Sequence, residues 1–246
     1  MKITDLVIIE HGVQNSKDMG NYAFPLIEGI KKYLPNPQDY CFFPYDWNRL
    51  AQPRQLEMYE SVEKGLWRQK LRKLKHTFGG DIIGTGRSKT GQDFLNKMTT
   101  ELDEDIDIFL SHGLEFKIHL IGHSQGSQNL CNFMWDSKHK DLIMGFISLG
   151  SPISAGSWMF DDWGRVPPTL KYWHNFYNKF DFISSRLEKV HPSDSIKNFV
   201  IDHEVPLGIN PLNYTLWGSH SIYWKSDFCH KKIAEIFNSS GKINYY

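Results

Sequence analysis

Short runs of apolar residues alternate along this chain with longer stretches whose apolar residues recur at helical spacing. Asp5–Glu10 (DLVIIE) reads as a buried strand that ends at His11-Gly12. Residues 21–33 read as a helix stopping before Pro35, and residues 40–43 as a second strand closed by Pro44. Residues 117–121 (KIHLI) form a compact apolar strand that runs into Gly122-His123-Ser124-Gln125-Gly126. A helix to about Trp135 follows, then a strand over 142–149, and 174–177 and 199–201 are the last strands. Strands spaced by helices in this way predict βαβ units around a parallel sheet.

Three helices are marked by their apolar stripes. Over 52–78, Trp67, Leu71, Leu74 and Phe78 share one face, with Lys64, Arg68, Arg72 and Lys75 opposite, a solvated face. Over 92–111, Leu95, Met98, Leu102, Ile106 and Phe109 line the core side, and Gly113 is a natural stop. After His220 a helix runs to about Phe237, with Phe228, Ile233 and Phe237 expected in the core. Residues 82–83 read as a short strand before the structural turn Gly84-Thr85-Gly86, which lacks the glycine spacing of either phosphate-binding loop. The acidic cluster Asp103, Glu104, Asp105 and Asp107 reads as surface, without metal-loop spacing.

The candidate chemistry centres on Gly122 to Gly126, a G-x-S-x-G pattern. A chain of this length shows the pattern by chance about one time in ten. Here it also follows a strand and opens a helix, the setting in which a nucleophilic serine is forced out of a sheet on a tight turn. The backbone N–H of Gln125 then stands at the head of that helix, where it can stabilise an oxyanion. The turn His11-Gly12-Val13 after the first strand is placed to supply a second such donor, the N–H of Val13. In this arrangement the acid and the histidine follow the serine in chain order. Asp181, in the loop after the strand at 174–177, is the preferred acid over Asp161, Asp162 and Asp202. His220, in Gly218-Ser219-His220-Ser221, is preferred over His203, while His174 and His191 come too early.

Gly122–Gly126, His11-Gly12, Asp181 and the segment Gly218-Ser219-His220-Ser221-Ile222-Tyr223-Trp224 together resemble the lipase-like serine esterase branch of the α/β-hydrolase superfamily. The resemblance implies an α/β-hydrolase fold with a mostly parallel central sheet, helices on both faces and a short lid-like insertion over 152–171. It also implies ester hydrolysis without a cofactor or metal. Only one glycine follows His11, so an HGGG-type oxyanion loop is absent. Trp158, Phe160 and Trp217 are the expected substrate-binding residues, suited to an acyl chain or aromatic group. The partner expected is a small-molecule or lipid-like ester. Acyl transfer or thioester cleavage with the same triad, and a non-catalytic binding protein that keeps the fold, stay open as alternatives.

Bulk properties narrow this picture. With no linker, repeat or low-complexity tract, the 246 residues read as one domain over 1–246. The 28 basic and 28 acidic residues balance, which ranks nucleic-acid binding low. Three scattered cysteines, Cys41, Cys131 and Cys229, suit neither a disulfide framework nor a zinc site. No signal peptide or 18-residue apolar run is visible, so a cytoplasmic location without a transmembrane segment is expected.

Overall fold

A parallel sheet covered by helices on both sides needs strands that are apolar on both faces, and the burial of this chain follows that rule. The structure, a computed structural model, describes residues 3–12, 22–46, 89–153, 166–181, 183–184, 186–187, 196–201 and 219–240. In chain order the main elements are β1 (Asp5–Glu10), α1 (Phe24–Lys31), β2 (Tyr40–Tyr45), α2 (Lys89–Ser111), β3 (Lys117–His123), α3 (Gln125–Asp136), β4 (Ile143–Leu149), β5 (Tyr172–Tyr177), β6 (Ile196–Val200) and α4 (Asp227–Ser240). The described strands form one sheet in the order β2-β1-β3-β4-β5-β6. All neighbours in it are parallel.

The two faces have separate cores. Leu6 and Ile8 of β1 join Met98, Leu102 and Ile106 of α2 and Leu130 and Phe133 of α3. Val7 and Ile9 point the other way, into Leu26, Ile27 and Ile30 of α1 and Ile233 and Phe237 of α4. Alternate residues of one strand thus serve opposite layers. The strand order reverses between β1 and β3, and ligand sites in open sheets lie beyond the carboxyl ends of strands at such a reversal.

Several expectations change. β2 continues through Pro44 to Tyr45. It lies at one edge of the described sheet, where a proline's missing N–H can be tolerated. The segment after His220 is not one helix. A turn at Ser219–Ser221 passes into a 3-10 turn at Ile222–Trp224, and the helix restarts at Asp227. Ser226 Oγ accepts from Cys229 N at 3.3 Å, capping the new start. That restart turns Phe228 outward, 42 % exposed, while Ile233 and Phe237 are buried as expected. Asp103 is buried, not on the surface. It accepts from Ser137 Oγ at 2.5 Å and Lys138 N at 3.1 Å, tying α2 to the end of α3. Gly113 takes a positive φ of 73° just past α2, as a helix stop requires.

The expected helix at 52–78, the short strand at 82–83 and the Gly84-Thr85-Gly86 turn lie outside the described residues. So does the middle of the lid-like segment, although Ile153, Val166 and Leu170 from its two ends pack on the α2–α3 core. Among the described residues, no helix is long and apolar enough to cross a membrane.

The amino end of the sheet is pinned by a buried polar chain. Tyr172 crosses β4 at Gly145, where a Cβ would lie 2.0 Å from its ring. Its hydroxyl is hydrogen-bonded to His119 Nδ1 at 2.6 Å, and His119 Nε2 to Asp5 Oδ1 at 2.8 Å. His174, next but one on β5, is also buried, and its Nδ1 has no hydrogen-bond partner. Burial, aided by Lys197, pushes its pKa down from 6.5 to about 4.

The unfolded chain therefore binds a proton at position 174 before the folded chain does, and this lowers stability as pH falls from 6.5 towards about 4. In urea unfolding across that range, the wild-type chain should lose about 1.4 kcal/mol more per pH unit than His174→Gln. Equal slopes would show that His174 does not titrate as a buried neutral group.

Candidate active site

Everything at the candidate site is built on the junction of β3 and α3. Ser124 occupies that junction with φ 53° and ψ −127°, the one non-glycine residue with positive φ among the described residues. Such a conformation is costly for a residue with a Cβ and persists only where surroundings enforce it. Ser124 N donates to Leu149 O of β4 at 2.9 Å, and Ser124 O accepts from Ser127 N at 3.0 Å and Ser127 Oγ at 2.6 Å. A Cβ on Gly122 would lie 2.5 Å from Ser127 Cα, and one on Gly126 2.5 Å from His11 O. Both glycines of the motif are thus demanded by close backbone packing. Gly12 fits the same pattern, since its Cβ would lie 2.9 Å from Ser124 Oγ. Gln125 is the first residue of α3, so its amide stands at the positive end of that helix.

The acid and histidine come from beyond β5 and β6. Asp181 closes a turn in which its N–H donates to Asn178 O at 3.0 Å. His220 Nδ1 is hydrogen-bonded to Asp181 Oδ2 at 2.8 Å, and Ile183 N donates to Asp181 Oδ1 at 3.0 Å. Ser219 Oγ donates to Phe180 O at 3.1 Å, joining the two loops. Burial works to raise the Asp181 pKa, but His220, Ile183 N–H and Tyr223 outweigh it and hold the carboxyl below its ordinary value. The carboxylate therefore stays charged where it faces the imidazole. His220 Nε2 is buried with no hydrogen-bond partner, Ser124 Oγ included. Catalytic hydrogen bonds in unliganded sites are often open in this way.

Three further residues complete the arrangement. His123 Nε2 donates to His220 O at 2.7 Å, and the two imidazoles lie 4.8 Å apart. Burial and the adjacent His220 push the His123 pKa to about 3, so it stays neutral. Tyr223 donates its hydroxyl proton to Asp181 Oδ2 at 2.8 Å and accepts from Asn178 N at 3.0 Å. Ser184 Oγ lies 3.0 Å from the same hydroxyl. Gly150, with φ 56°, lets these groups meet, because its Cβ would lie 2.7 Å from the Tyr223 ring and 3.1 Å from Asp181 Oδ2.

His123 and Tyr223 lie within the motif and the histidine segment, yet the sequence pattern assigns no role to them or to Ser184. Only Tyr223 had a usable signal, its position three residues after His220 in a segment opening a helix. Of the residues expected at the site, Ser124, Gln125, Asp181 and His220 lie at the carboxyl edge of the sheet. Val13, Trp158, Phe160 and Trp217 lie outside the described residues, as do the rival acids Asp161, Asp162 and Asp202 and the rivals His191 and His203. No group of three or more His, Cys, Asp or Glu able to hold a metal occurs among the described residues.

No family model and no curated protein matches the sequence. Solved structures do resemble it. A protein of unknown function from Agrobacterium tumefaciens, assigned to the α/β hydrolases, aligns with a TM-score of 0.55 and 11 % identity, covering 98 % of this chain and 88 % of that one. A soluble variant of monoglyceride lipase from Saccharomyces cerevisiae, solved with a substrate analogue, aligns with a TM-score of 0.50 and 13 % identity, covering 100 % of this chain and 88 % of that one. The chain has the α/β-hydrolase fold.

Removing the Tyr223 hydroxyl leaves Asn178 N–H and Ser184 facing an apolar edge. Tyr223→Phe should destabilise the protein by about 1–3 kcal/mol in urea unfolding at neutral pH. A change near zero would mean that these bonds do not form in solution.

Proposed function

We propose that the protein is a serine hydrolase that cleaves carboxylic esters, with Ser124 as nucleophile, His220 as general base and acid, and Asp181 as its orienting carboxylate. The observation that carries this reading is the left-handed backbone of Ser124 at the carboxyl end of β3. It occurs in a protein whose Asp181–His220 hydrogen bond lies beyond the same edge of the sheet. A strained serine without a base, or the pair without a serine, would have a plainer structural explanation.

The chemistry follows from the parts. Ser124 Oγ gives its proton to His220 Nε2 as it bonds to the acyl carbon. Asp181 fixes the imidazole tautomer through Nδ1 and stabilises the imidazolium. The tetrahedral oxyanion is held by the backbone N–H groups of Val13 and Gln125. Collapse breaks the bond to the alcohol oxygen, which takes the proton from His220. Water then attacks the acyl-enzyme, passing its proton to His220, and the carboxylic acid leaves as Ser124 Oγ regains a proton. Trp158, Phe160 and Trp217 provide an apolar wall for the acyl group.

Ser124→Ala should abolish hydrolysis of p-nitrophenyl esters and labelling by a fluorophosphonate, while the melting temperature stays near that of the wild type. A wild-type chain that neither hydrolyses nor labels would rule out the assignment. Asp181→Asn should lower kcat by roughly 1,000- to 10,000-fold, since the imidazole loses its tautomer control.

The substrate wall has its own test, a p-nitrophenyl series from acetate to palmitate. Replacing Trp158 and Phe160 together by serine should reduce kcat/KM more for long acyl chains than for acetate. A uniform loss would remove these residues from substrate selection.

A further inference from the structure

At the last residue of β1, immediately before the His11-Gly12 turn, stands a carboxylic acid that the reaction does not use. Glu10 is fully buried. Its Oε1 accepts from Asn129 Nδ2 of α3 at 2.7 Å, and its Oε2 has no hydrogen-bond partner. Asn129 Oδ1 in turn accepts from the Gln125 side chain at 3.5 Å. One amide thus links the residue before the oxyanion turn to the residue after the nucleophile.

Resting on the serine-hydrolase reading, we propose that Glu10 and Asn129 are positioning residues that hold the His11-Gly12 turn against the first turn of α3, where the Gln125 N–H of the oxyanion hole stands. The His11-Gly12 turn follows β1, whereas Gln125 opens α3, so the two belong to different elements. Their backbones are already at contact, since a Cβ on Gly126 would lie 2.5 Å from His11 O and 2.7 Å from Glu10 O. Contact prevents closer approach but does not stop separation. Within the sheet the β1 exit is held on both sides, with Glu10 in register with Tyr45 of β2 and Gly122 of β3, and further to β2 through Tyr22, whose hydroxyl reaches Ile9 O at 2.8 Å and Tyr45 O at 3.0 Å, and through His11 and Asp46 at 3.1 Å. The Glu10–Asn129 bond acts in the remaining direction, towards α3.

The acid must do this without a charge. A carboxylate behind the hole would oppose the negative charge that develops on the substrate oxygen. Burial raises the Glu10 pKa well above its ordinary value, outweighing the hydrogen bond from the uncharged Asn129. Nearby Tyr22 is likewise pushed up, by burial and then by the charge Glu10 would carry. A neutral amide of the same shape should therefore serve at position 10, whereas a methyl group should not.

The test compares wild type, Glu10→Ala and Glu10→Gln on p-nitrophenyl acetate at neutral pH. Active sites are counted by fluorophosphonate labelling, and affinity for phenylboronic acid, which mimics the tetrahedral state, is measured alongside. Per labelled site, Glu10→Ala should lower kcat on the order of 10- to 100-fold with KM unchanged. Its phenylboronic acid affinity should fall in parallel, and Glu10→Gln should restore the rate to within a few-fold of wild type. If Glu10→Ala turns over normally per labelled site, if boronate affinity is unchanged, or if Glu10→Gln falls as far as Glu10→Ala, the proposal is overturned and the triad reading stands. A wild type that neither labels nor hydrolyses overturns both.

Discussion

The backbone of one residue governs the site. Ser124 is held at positive φ because β3 must turn directly into α3, and its neighbours leave no room for any other path. Gly122, Gly126 and Gly12 are the spaces into which that path fits. The strain lies where the sheet order reverses, the place where open sheets of this kind hold ligands beyond their strand ends. The rest of the fold serves to hold this corner rigid. Two apolar layers, each shared by alternate residues of the same strands, leave β1 and β3 no freedom to slide.

Around that corner, burial sorts the ionisable groups by charge state. Asp181 gathers enough donors to remain an anion despite its burial, whereas burial outweighs the pull of Asp181 on His123 and the hydrogen bond from Asn129 to Glu10 and keeps both neutral. Asp181 thus places a negative charge behind His220, and neither Glu10 nor His123 adds a charge of its own. In the proposed reaction that pattern would favour an imidazole becoming positive and would not set Glu10 against a developing oxyanion.

Much of the fold was legible in the pattern of the chain. β1 and β3 are apolar on both faces, and their limits came out within two residues of the structure. The glycines of G-x-S-x-G were legible because their spacing reflects backbone contact, which is local. What escaped the reading depends on long-range placement. Pro44 reads as a strand end unless β2 is known to be outermost. Asp103 reads as solvent-facing until Ser137, 34 residues on, arrives to satisfy it. Asp181 and His220 were reached through chain order, but their pairing, and the share of Tyr223 in it, arise only when loops 39 residues apart meet.

His220 and Tyr223 ride on one short helical stretch, and both terminate on the same carboxylate oxygen. They therefore move as one body relative to Asp181, and a tilt of the segment alters both contacts together. Energetically the two side chains are a coupled unit, for which single substitutions will not add. Remodelling the acid end of this site accordingly calls for paired changes, with the stretch exchanged whole.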